Sequence, residues 1–270
     1  MTAVVGFTCF DGVLLMADTE ETTSTFTKSD CDKLYQFTSP SGSVLTGGAG
    51  DGHLIDCANQ ELQGFFGAGL PGTPDVPLTG ELGRKALNGF AQTFFQETTA
   101  QYAENEHGIQ MLLAVNLLNK ETLLFRWIHN RVLWIPPSRH DCIGSGIVQL
   151  HPMLRDFQFM PTKETALFCG IRMMHHAKRI VMGVGGRTEA VALLNNGDTI
   201  YFGTDNTALI EDLVSKFEEF IGKFVYTTVS NISTEFPEIE SNVAKNFEDF
   251  PQVFKQYRDK YKELLNNPLQ

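Results

Sequence analysis

The chain has 270 residues, of which 42% are hydrophobic, so it can form one sizeable core and is not globally disordered. Its formal net charge of −11 argues against a nucleic-acid surface or an anionic membrane face as the main partner. No apolar run approaches the roughly 20 residues of a membrane-spanning helix, and no signal peptide is recognised. These properties predict a cytoplasmic protein.

The cysteines and histidines do not predict a metal site. Five cysteines are scattered along the chain without a CxxC pair, which indicates buried free thiols in a reducing compartment rather than disulfides or zinc ligands. His175 and His176 lie in a predicted helix without a suitably spaced carboxylate. We therefore predict no metal and no cofactor.

Strand patterns dominate the first fifty residues. Asp11-Gly12 is a strong two-residue turn and predicts a hairpin over residues 2–19. The polar segment 20–32 predicts a loop or a short edge strand, and turn residues at 39–42 separate the next two strands. The predicted strands cover residues 3–10, 13–17, 33–37 and 43–46.

Helices and strands then alternate in blocks. A glycine-rich segment, 47–52, opens a predicted helix that continues to about residue 65. The remaining predicted elements are a helix at 81–104, strands within 111–136, helices at 149–157 and 163–182, a hairpin at 190–202 and a helix at 206–223. This order predicts an α+β sandwich, with sheet packed on sheet and helices outside. We assign residues 1–224 to this domain and residues 225–270 to a C-terminal helical extension.

Thr2 directly follows the initiator Met1. Removal of Met1 would leave a threonine that carries both a nucleophilic hydroxyl and a free α-amine. Such an amine has a pKa of about 7.7–8.0 and suits general-base work near neutral pH. A threonine hydroxyl activated by its own N-terminal amine is a known nucleophile–base pair. Thr2 is therefore a candidate catalytic residue.

Four further positions carry possible chemistry. Asp18 ends a buried apolar strand and Lys33 begins the next one. Gly47 lies where we expect a strand-to-helix junction with accessible backbone N–H groups, and Ser145 lies in Gly-Ser-Gly. The alternative interpretations are an exposed ion pair at Asp18 and Lys33, a phosphate-binding turn at 47–52 and a plain turn at Ser145. The glycine segment lacks the dinucleotide fingerprint and the P-loop Lys-Ser/Thr pair.

In this order and spacing, the blocks around Thr2, Asp18, Lys33, Gly47 and Ser145 resemble the β-type subunits of the proteasome and their bacterial relatives, which are N-terminal nucleophile peptidases. The resemblance covers about residues 2–205 and implies a four-layer αββα sandwich. It implies that Thr2 is the nucleophile and proton carrier and that Asp18 orients Lys33.

The same resemblance implies further roles. The Lys33 cation would stabilise charge on oxygen, the Gly47 N–H would form the oxyanion hole, and Ser145 would bind the amine. The residues implied in substrate binding are Glu21, Cys31, Leu45 and Ala49. Members of this family work as rings or spirals, so the resemblance implies a homo-oligomer. It also implies a peptide or unfolded-protein substrate and, by analogy, an ATPase regulator.

One departure from the family pattern concerns the segment 181–186. Family peptidases usually have an aspartate and a serine just before a late Gly-Gly, and here Val181 and Val184 replace them. Glu20 and Glu21 stand where an arginine and a small residue are usual. We therefore carry three hypotheses: a threonine peptidase that forms an acyl-ester on Thr2, a non-catalytic ring or scaffold subunit, and an amidase acting on a small molecule.

Overall fold

Two antiparallel five-stranded sheets form the centre of the fold. The computed structural model describes residues 2–22, 28–39, 42–68, 79–102, 108–117 and 121–230, together with residues 255 and 259. Within them the strands are β1 (Ala3–Cys9), β2 (Gly12–Asp18), β3 (Glu20–Thr22), β4 (Lys28–Asp30), β5 (Leu34–Ser39), β6 (Gly42–Ala49), β7 (Gln110–Leu117), β8 (Thr122–Ile128), β9 (Arg131–Ile135), β10 (His140–Gly144), β11 (Thr188–Leu194) and β12 (Thr199–Phe202). The helices are α1 (Gly52–Gly67), α2 (Gly80–Tyr102), α3 (Ile147–Arg155), α4 (Lys163–Ile180) and α5 (Thr204–Ser230).

The two sheets have different connectivity. The first sheet has the strand order β10-β1-β2-β11-β12, and the second has the order β5-β6-β7-β8-β9. The second is a meander, in which each strand pairs with the next along the chain. In the first sheet, β10 and β11 come from distant parts of the chain and flank the N-terminal hairpin of β1 and β2. A separate two-stranded ribbon, β3 and β4, follows β2 directly.

Helices cover the outer face of each sheet. Apolar residues of α3, α4 and α5 pack on the first sheet, and those of α1 and α2 pack on the second. A third apolar cluster fills the space between the sheets and includes Val4, Leu15, Leu45 and Leu112. The predicted four-layer αββα sandwich is confirmed.

The buried environment explains the composition of β1. Ala3, Val5 and Phe7 face the helices of the first sheet, whereas Val4 faces the second sheet. Because both faces of β1 are covered, every one of its residues is buried and the strand lacks polar alternation. The predicted hairpin with its turn at Asp11-Gly12 is confirmed, with β1 and β2 paired from Val4–Ala17 to Cys9–Gly12.

The glycine-rich segment 47–52 lies across the junction between β6 and α1, but the strand extends further into it than predicted. Gly47 and Gly48 lie inside β6, and α1 begins only at Gly52. The Asp51 carboxylate accepts the Leu54 N–H at 3.1 Å and caps the helix. The helix opened by this segment is confirmed, whereas the predicted strand end at residue 46 was too early, because β6 stays paired with β7 through Ala49.

The C-terminal helix continues past the predicted domain boundary. α5 extends to Ser230, beyond residue 224, and of the following residues only 255 and 259 are described. The C-terminal extension therefore stays a prediction. All five cysteines are free thiols, with Cys9 and Cys142 buried. In the part of the chain that the structure describes, each helix is too short or too polar to cross a membrane.

Candidate active site

The turn between β10 and α3 holds the backbone of Thr2. Thr2 N–H donates to Ser145 Oγ at 3.0 Å, and the Ser145 hydroxyl donates in return to Thr2 O at 3.2 Å. Gly146 N–H also donates to Thr2 O, at 3.3 Å. Ser145, 143 positions away along the chain, is thus in direct contact with the nitrogen that becomes the α-amine once Met1 is removed.

A glycine is required directly before Ser145. Gly144 has a φ of 87°, and a Cβ at this position would lie 2.1 Å from Thr2 O. The side-chain oxygen Oε1 of Gln110, from the second sheet, accepts the Gly144 N–H at 3.2 Å. The close approach of this turn to Thr2 therefore depends on the missing side chain of Gly144 and on a hydrogen bond between the sheets.

Asp18 and Lys33 form a buried ion pair. Lys33 Nζ lies 3.0 Å from Asp18 Oδ1, and the two side chains are 7% and 0% exposed. The same Oδ1 atom accepts the Ala3 N–H at 2.8 Å, and Lys33 Nζ also donates to Glu20 O at 2.6 Å. One carboxylate oxygen thus connects the ammonium to the residue that follows Thr2. Because both side chains are buried, the alternative interpretation as an exposed surface ion pair is wrong.

The segment before Gly185-Gly186 is apolar, as the sequence indicates. Val184 is 4% exposed and Val181 is partly buried, and both pack in the core beneath α4. The polar contact from this segment comes from the backbone, because Gly185 N–H donates to Asp18 Oδ2 at 3.1 Å. Both oxygens of Asp18 are therefore occupied by donors, as a buried carboxylate requires.

Gly47 lies inside a sheet. It is opposite Leu34 of β5 and Leu112 of β7, and Gly48 N–H donates to Lys33 O at 3.3 Å. A Cβ on Gly47 would lie 2.8 Å from Val4 Cγ1 and 2.9 Å from Leu34 Cδ2. The absence of a side chain here allows β6 to approach β1 two residues beyond Thr2.

The predicted substrate-binding residues lie in different environments. Leu45 and Ala49 are 1% and 3% exposed, within the apolar cluster between the sheets. Cys31 is partly buried, and its N–H donates to Thr19 O at 2.9 Å. Glu21 pairs with Ser29 in the β3–β4 ribbon, but its side chain lies outside the described residues. Among the residues that the structure describes, Thr2, Asp18, Lys33 and Ser145 are therefore connected by direct contacts through Ala3 and the turn at Ser145, whereas Leu45 and Ala49 lie between the sheets.

Three contacting residues were not identified from the sequence: Gln110, Gly185 and Glu189. Glu189 Oε2 accepts both Lys33 N–H and Leu34 N–H at 3.3 Å. Burial raises the pKa of the Glu189 carboxyl and the negative charge of Asp32 raises it further, whereas the two backbone N–H bonds act in the opposite direction. Glu189 could have been identified from the sequence, because it is a charged residue near the start of the otherwise apolar strand β11.

The four-layer sandwich is the fold that the resemblance to N-terminal nucleophile hydrolases implies, with Thr2 directly before β1 and the buried Asp18–Lys33 pair bonded to Ala3 N–H. A family model described as Proteasome subunit matches residues 2–67 of the chain. The resemblance seen in the sequence is thereby confirmed over this segment, which contains Thr2, Asp18, Lys33 and Gly47. No curated protein matches the chain.

Solved structures extend the likeness over most of the chain. Anbu (ancestral beta-subunit) from Yersinia bercovieri is similar with a TM-score of 0.65 and 14% identity, over 83% of this chain and 97% of that chain. The helical assembly of the Anbu complex from Pseudomonas aeruginosa gives a TM-score of 0.67 and 15% identity, over 83% and 95%. A Gly-1 mutant of Anbu from Hyphomicrobium sp. strain MC1 gives 0.63 and 13%, over 83% and 97%. At these identities the likeness establishes the fold.

Proposed function

We propose that this chain is a threonine-type peptidase that hydrolyses peptide bonds through an acyl-ester on Thr2. The observation that carries the proposal is the shared Asp18 Oδ1 atom, which accepts both Lys33 Nζ and Ala3 N–H. A buried ammonium beside the first strand residue supplies positive charge where a threonine oxygen would become nucleophilic. Buried ion pairs that are bonded to the backbone next to a candidate nucleophile are typical of functional sites.

The proposed reaction begins after removal of Met1. The neutral α-amine of Thr2 accepts the hydroxyl proton as Oγ1 attacks the substrate carbonyl carbon, and the tetrahedral oxyanion forms. The protonated amine then gives its proton to the leaving nitrogen as the carbon–nitrogen bond breaks, which leaves an ester on Thr2. A water molecule, deprotonated by the same amine, then attacks the ester carbon. The bond between this carbon and Oγ1 breaks as the amine returns the proton to Oγ1, which restores the threonine and releases the acyl group as a carboxylic acid.

Each neighbouring group has a proposed role in these steps. The Lys33 cation stabilises negative charge on Oγ1 and lowers the proton affinity of the amine by like-charge repulsion. Ser145 Oγ, 3.0 Å from Thr2 N, orients the amine. The Gly47 N–H is the proposed oxyanion donor, a role that requires a local opening because Gly47 is paired with both β5 and β7. Deletion of such a donor typically costs about 2.7–4 kcal/mol of transition-state stabilisation.

We propose a peptide or unfolded protein as the substrate. Glu21, Cys31, Leu45 and Ala49 are the proposed lining of its site. Because the side chains of Leu45 and Ala49 are buried, these two residues would act through the backbone of β6 or after a local opening.

We also propose that the chain assembles with copies of itself in a cytoplasmic compartment. The similar structure from Pseudomonas aeruginosa is a helical assembly, which supports self-association, and the free thiols of Cys9 and Cys142 support a reducing compartment. A partner ATPase that delivers unfolded substrate is an extension of this proposal by analogy.

A non-catalytic subunit of the same fold is the second candidate. It is favoured by the apolar, buried Val184, which stands where family peptidases have polar support for the threonine. The Gly185 N–H bond to Asp18 replaces part of that support and favours the catalytic hypothesis.

The experiment is an intact-mass measurement of the purified native protein before and after exposure to a small β-lactone. The expected result is loss of Met1 and addition of one lactone mass, because the Thr2 hydroxyl opens the ring to an ester. Thr2→Ala is the matched variant and should gain no mass. A retained Met1, or equal labelling of Thr2→Ala, would refute the proposal. Comparison of peptide and small-amide substrates then separates a peptidase from a small-molecule amidase.

A further inference from the structure

The strand β11 supports both members of the buried ion pair. Its first residue, Thr188, is opposite Asp18 of β2, and its second residue, Glu189, is opposite Ala17. The Glu189 side chain reaches the other sheet, where one oxygen accepts the N–H groups of Lys33 and Leu34. The backbone of β11 therefore holds Asp18 by strand pairing, while the Glu189 side chain contacts the backbone of Lys33, the residue that carries the ammonium.

The contact lies where β5 begins. Leu34 is the first residue of β5, and Lys33 directly precedes it. Leu34 lies opposite Gly47, near the C-terminal end of the neighbouring strand β6. A carboxylate oxygen that accepts two successive backbone N–H groups fixes the direction in which the chain enters the strand. Since the Lys33 side chain leaves from this same point, its direction toward Asp18 depends on that bond.

The start of β11 is itself held firmly. Lys178 Nζ donates to Glu211 Oε1 at 2.5 Å and to Thr188 Oγ1 at 2.7 Å. Thr207 Oγ1 donates to Thr188 O at 2.5 Å. Side chains from α4 and α5 thus anchor the residue before Glu189.

We infer that Glu189 is a positioning residue, which holds Lys33 so that its ammonium lies beside Thr2. This role rests on the proposed function of Thr2. Glu189 itself contacts neither the threonine nor Lys33 Nζ among the contacts of the described residues; it acts through the Lys33 backbone. Partial burial disfavours the charged form of the Glu189 carboxyl. Two hydrogen bonds that orient a reactive group give a functional reason for a carboxylate at this position.

The test uses the native full chain and a small β-lactone. The measured quantity is the second-order rate constant of Thr2 acylation per folded molecule, followed by intact mass from pH 5 to pH 9. Glu189→Leu removes both acceptors, and Glu189→Gln keeps one oxygen. Gln36→Leu is the matched control, because Gln36 bridges β5 to Thr199 of the first sheet at 2.7 Å without touching Lys33.

We expect Glu189→Leu to slow acylation about 10- to 100-fold, because a displacement near 1 Å at a reacting group costs this much. Its pH profile should move to higher pH, because a displaced ammonium no longer lowers the proton affinity of the α-amine. Glu189→Gln should recover most of the rate. Gln36→Leu should lose stability while keeping the wild-type rate and profile.

The wild-type rate and pH profile in folded Glu189→Leu would overturn this inference alone. If Glu189→Leu does not fold, Glu189→Asp replaces it: its side chain is one methylene shorter, and a rate equal to that of Glu189→Gln would overturn the inference. A wild-type chain that has lost Met1 but takes up no lactone would overturn the proposed function, and the role of Glu189 with it.

Discussion

At the scale of single residues, the Asp18 carboxylate connects three distant segments. Its oxygens accept donors from Ala3, Lys33 and Gly185 at 2.8, 3.0 and 3.1 Å. A fully buried carboxylate is stable only with such donors, and the buried ammonium likewise depends on it. The residue therefore affects stability and the geometry around Thr2 together.

Asp18→Asn should destabilise the protein by about 3–5 kcal/mol, because it leaves the Lys33 ammonium buried without a counter-charge. The measurement is the free energy of unfolding from urea titration. Asp212→Asn is the control: Asp212 forms an exposed pair with Lys216, at 53% and 54% exposure, and its loss should cost at most about 1 kcal/mol. Equal losses in the two variants would contradict the structural role of the buried pair.

Gly144→Ala should destabilise the protein by at least about 2 kcal/mol, because it combines a positive φ with a contact to Thr2 O. It should also slow acylation of Thr2, since the turn that carries Ser145 must move away. In Gly89→Ala, where no atom lies within 4 Å of the new Cβ, α2 should gain about 0.5–1 kcal/mol. Unfolding curves of the two variants test the contrast, and a harmless Gly144→Ala would count against this geometry.

At the scale of elements, β10 connects the N-terminal strand to the turn that holds Thr2. Its residues His140 to Gly144 pair with Phe7 to Ala3 of β1. At the far end, His140 packs against Phe7 and Phe157, with ring centroids 5.1 and 6.2 Å away. Burial lowers the pKa of His140, although the hydrogen bond to Phe159 O partly opposes this.

The lowered pKa of His140 predicts a loss of stability in acid. The native state favours the neutral ring, so the unfolded state binds more protons as pH falls through 6.5, and the free energy of unfolding decreases there. Protonation would also place an N–H at Nδ1, which is buried without a hydrogen-bond partner in the described structure.

His140→Phe should keep the aromatic packing and remove this contribution. The difference in unfolding free energy, wild type minus variant, should therefore rise between pH 5 and pH 7. Urea titrations at several pH values measure it. A difference that does not change with pH would contradict the assignment.

At the scale of the whole molecule, polar bonds fix how the two sheets lie on each other. Arg126 of the second sheet pairs with Asp141 of the first at 3.0 Å. At the end away from Thr2, the Asn116 amide faces Thr122 Oγ1, Leu194 O and Asn195 O, at 3.0, 3.3 and 2.9 Å. Because apolar contacts alone permit sliding, these directional bonds set the alignment of the layers.

Asn116→Asp should destabilise the fold by about 3 kcal/mol or more, because a carboxylate would replace a donor and face three acceptors. The control is Asn88→Asp, whose side chain accepts the Val132 N–H at 2.6 Å and would still accept it as a carboxylate. Its cost should be at most about 1 kcal/mol. Thermal and urea unfolding measure both variants, and a tolerated Asn116→Asp would contradict the proposed alignment role.

The amino-acid sequence by itself determined the local features of this protein. The hairpin of β1 and β2 was indicated by its turn residues and by continuous apolar strand segments. The αββα layers were indicated by the order of strand patterns and of helical hydrophobic periodicity. Such patterns depend on neighbours a few positions apart. Thr2 was selected from its position after Met1, Asp18 and Lys33 from strand ends, and Ser145 from the Gly-Ser-Gly turn, while the resemblance to a family implied their roles.

Tertiary structure decided which groups surround them, although the resemblance had implied the contact between Ser145 and Thr2. The contacts of Ser145 with Thr2, of Glu189 with Lys33 and of Gly185 with Asp18 join residues 143, 156 and 167 positions apart. No local pattern encodes such pairs, since they arise only when the two sheets stack and the late loop closes over β2. The position of Gly47 inside β6 was likewise decided by pairing with β5 and β7, because a glycine fits a strand or a turn equally well until its neighbours are in place.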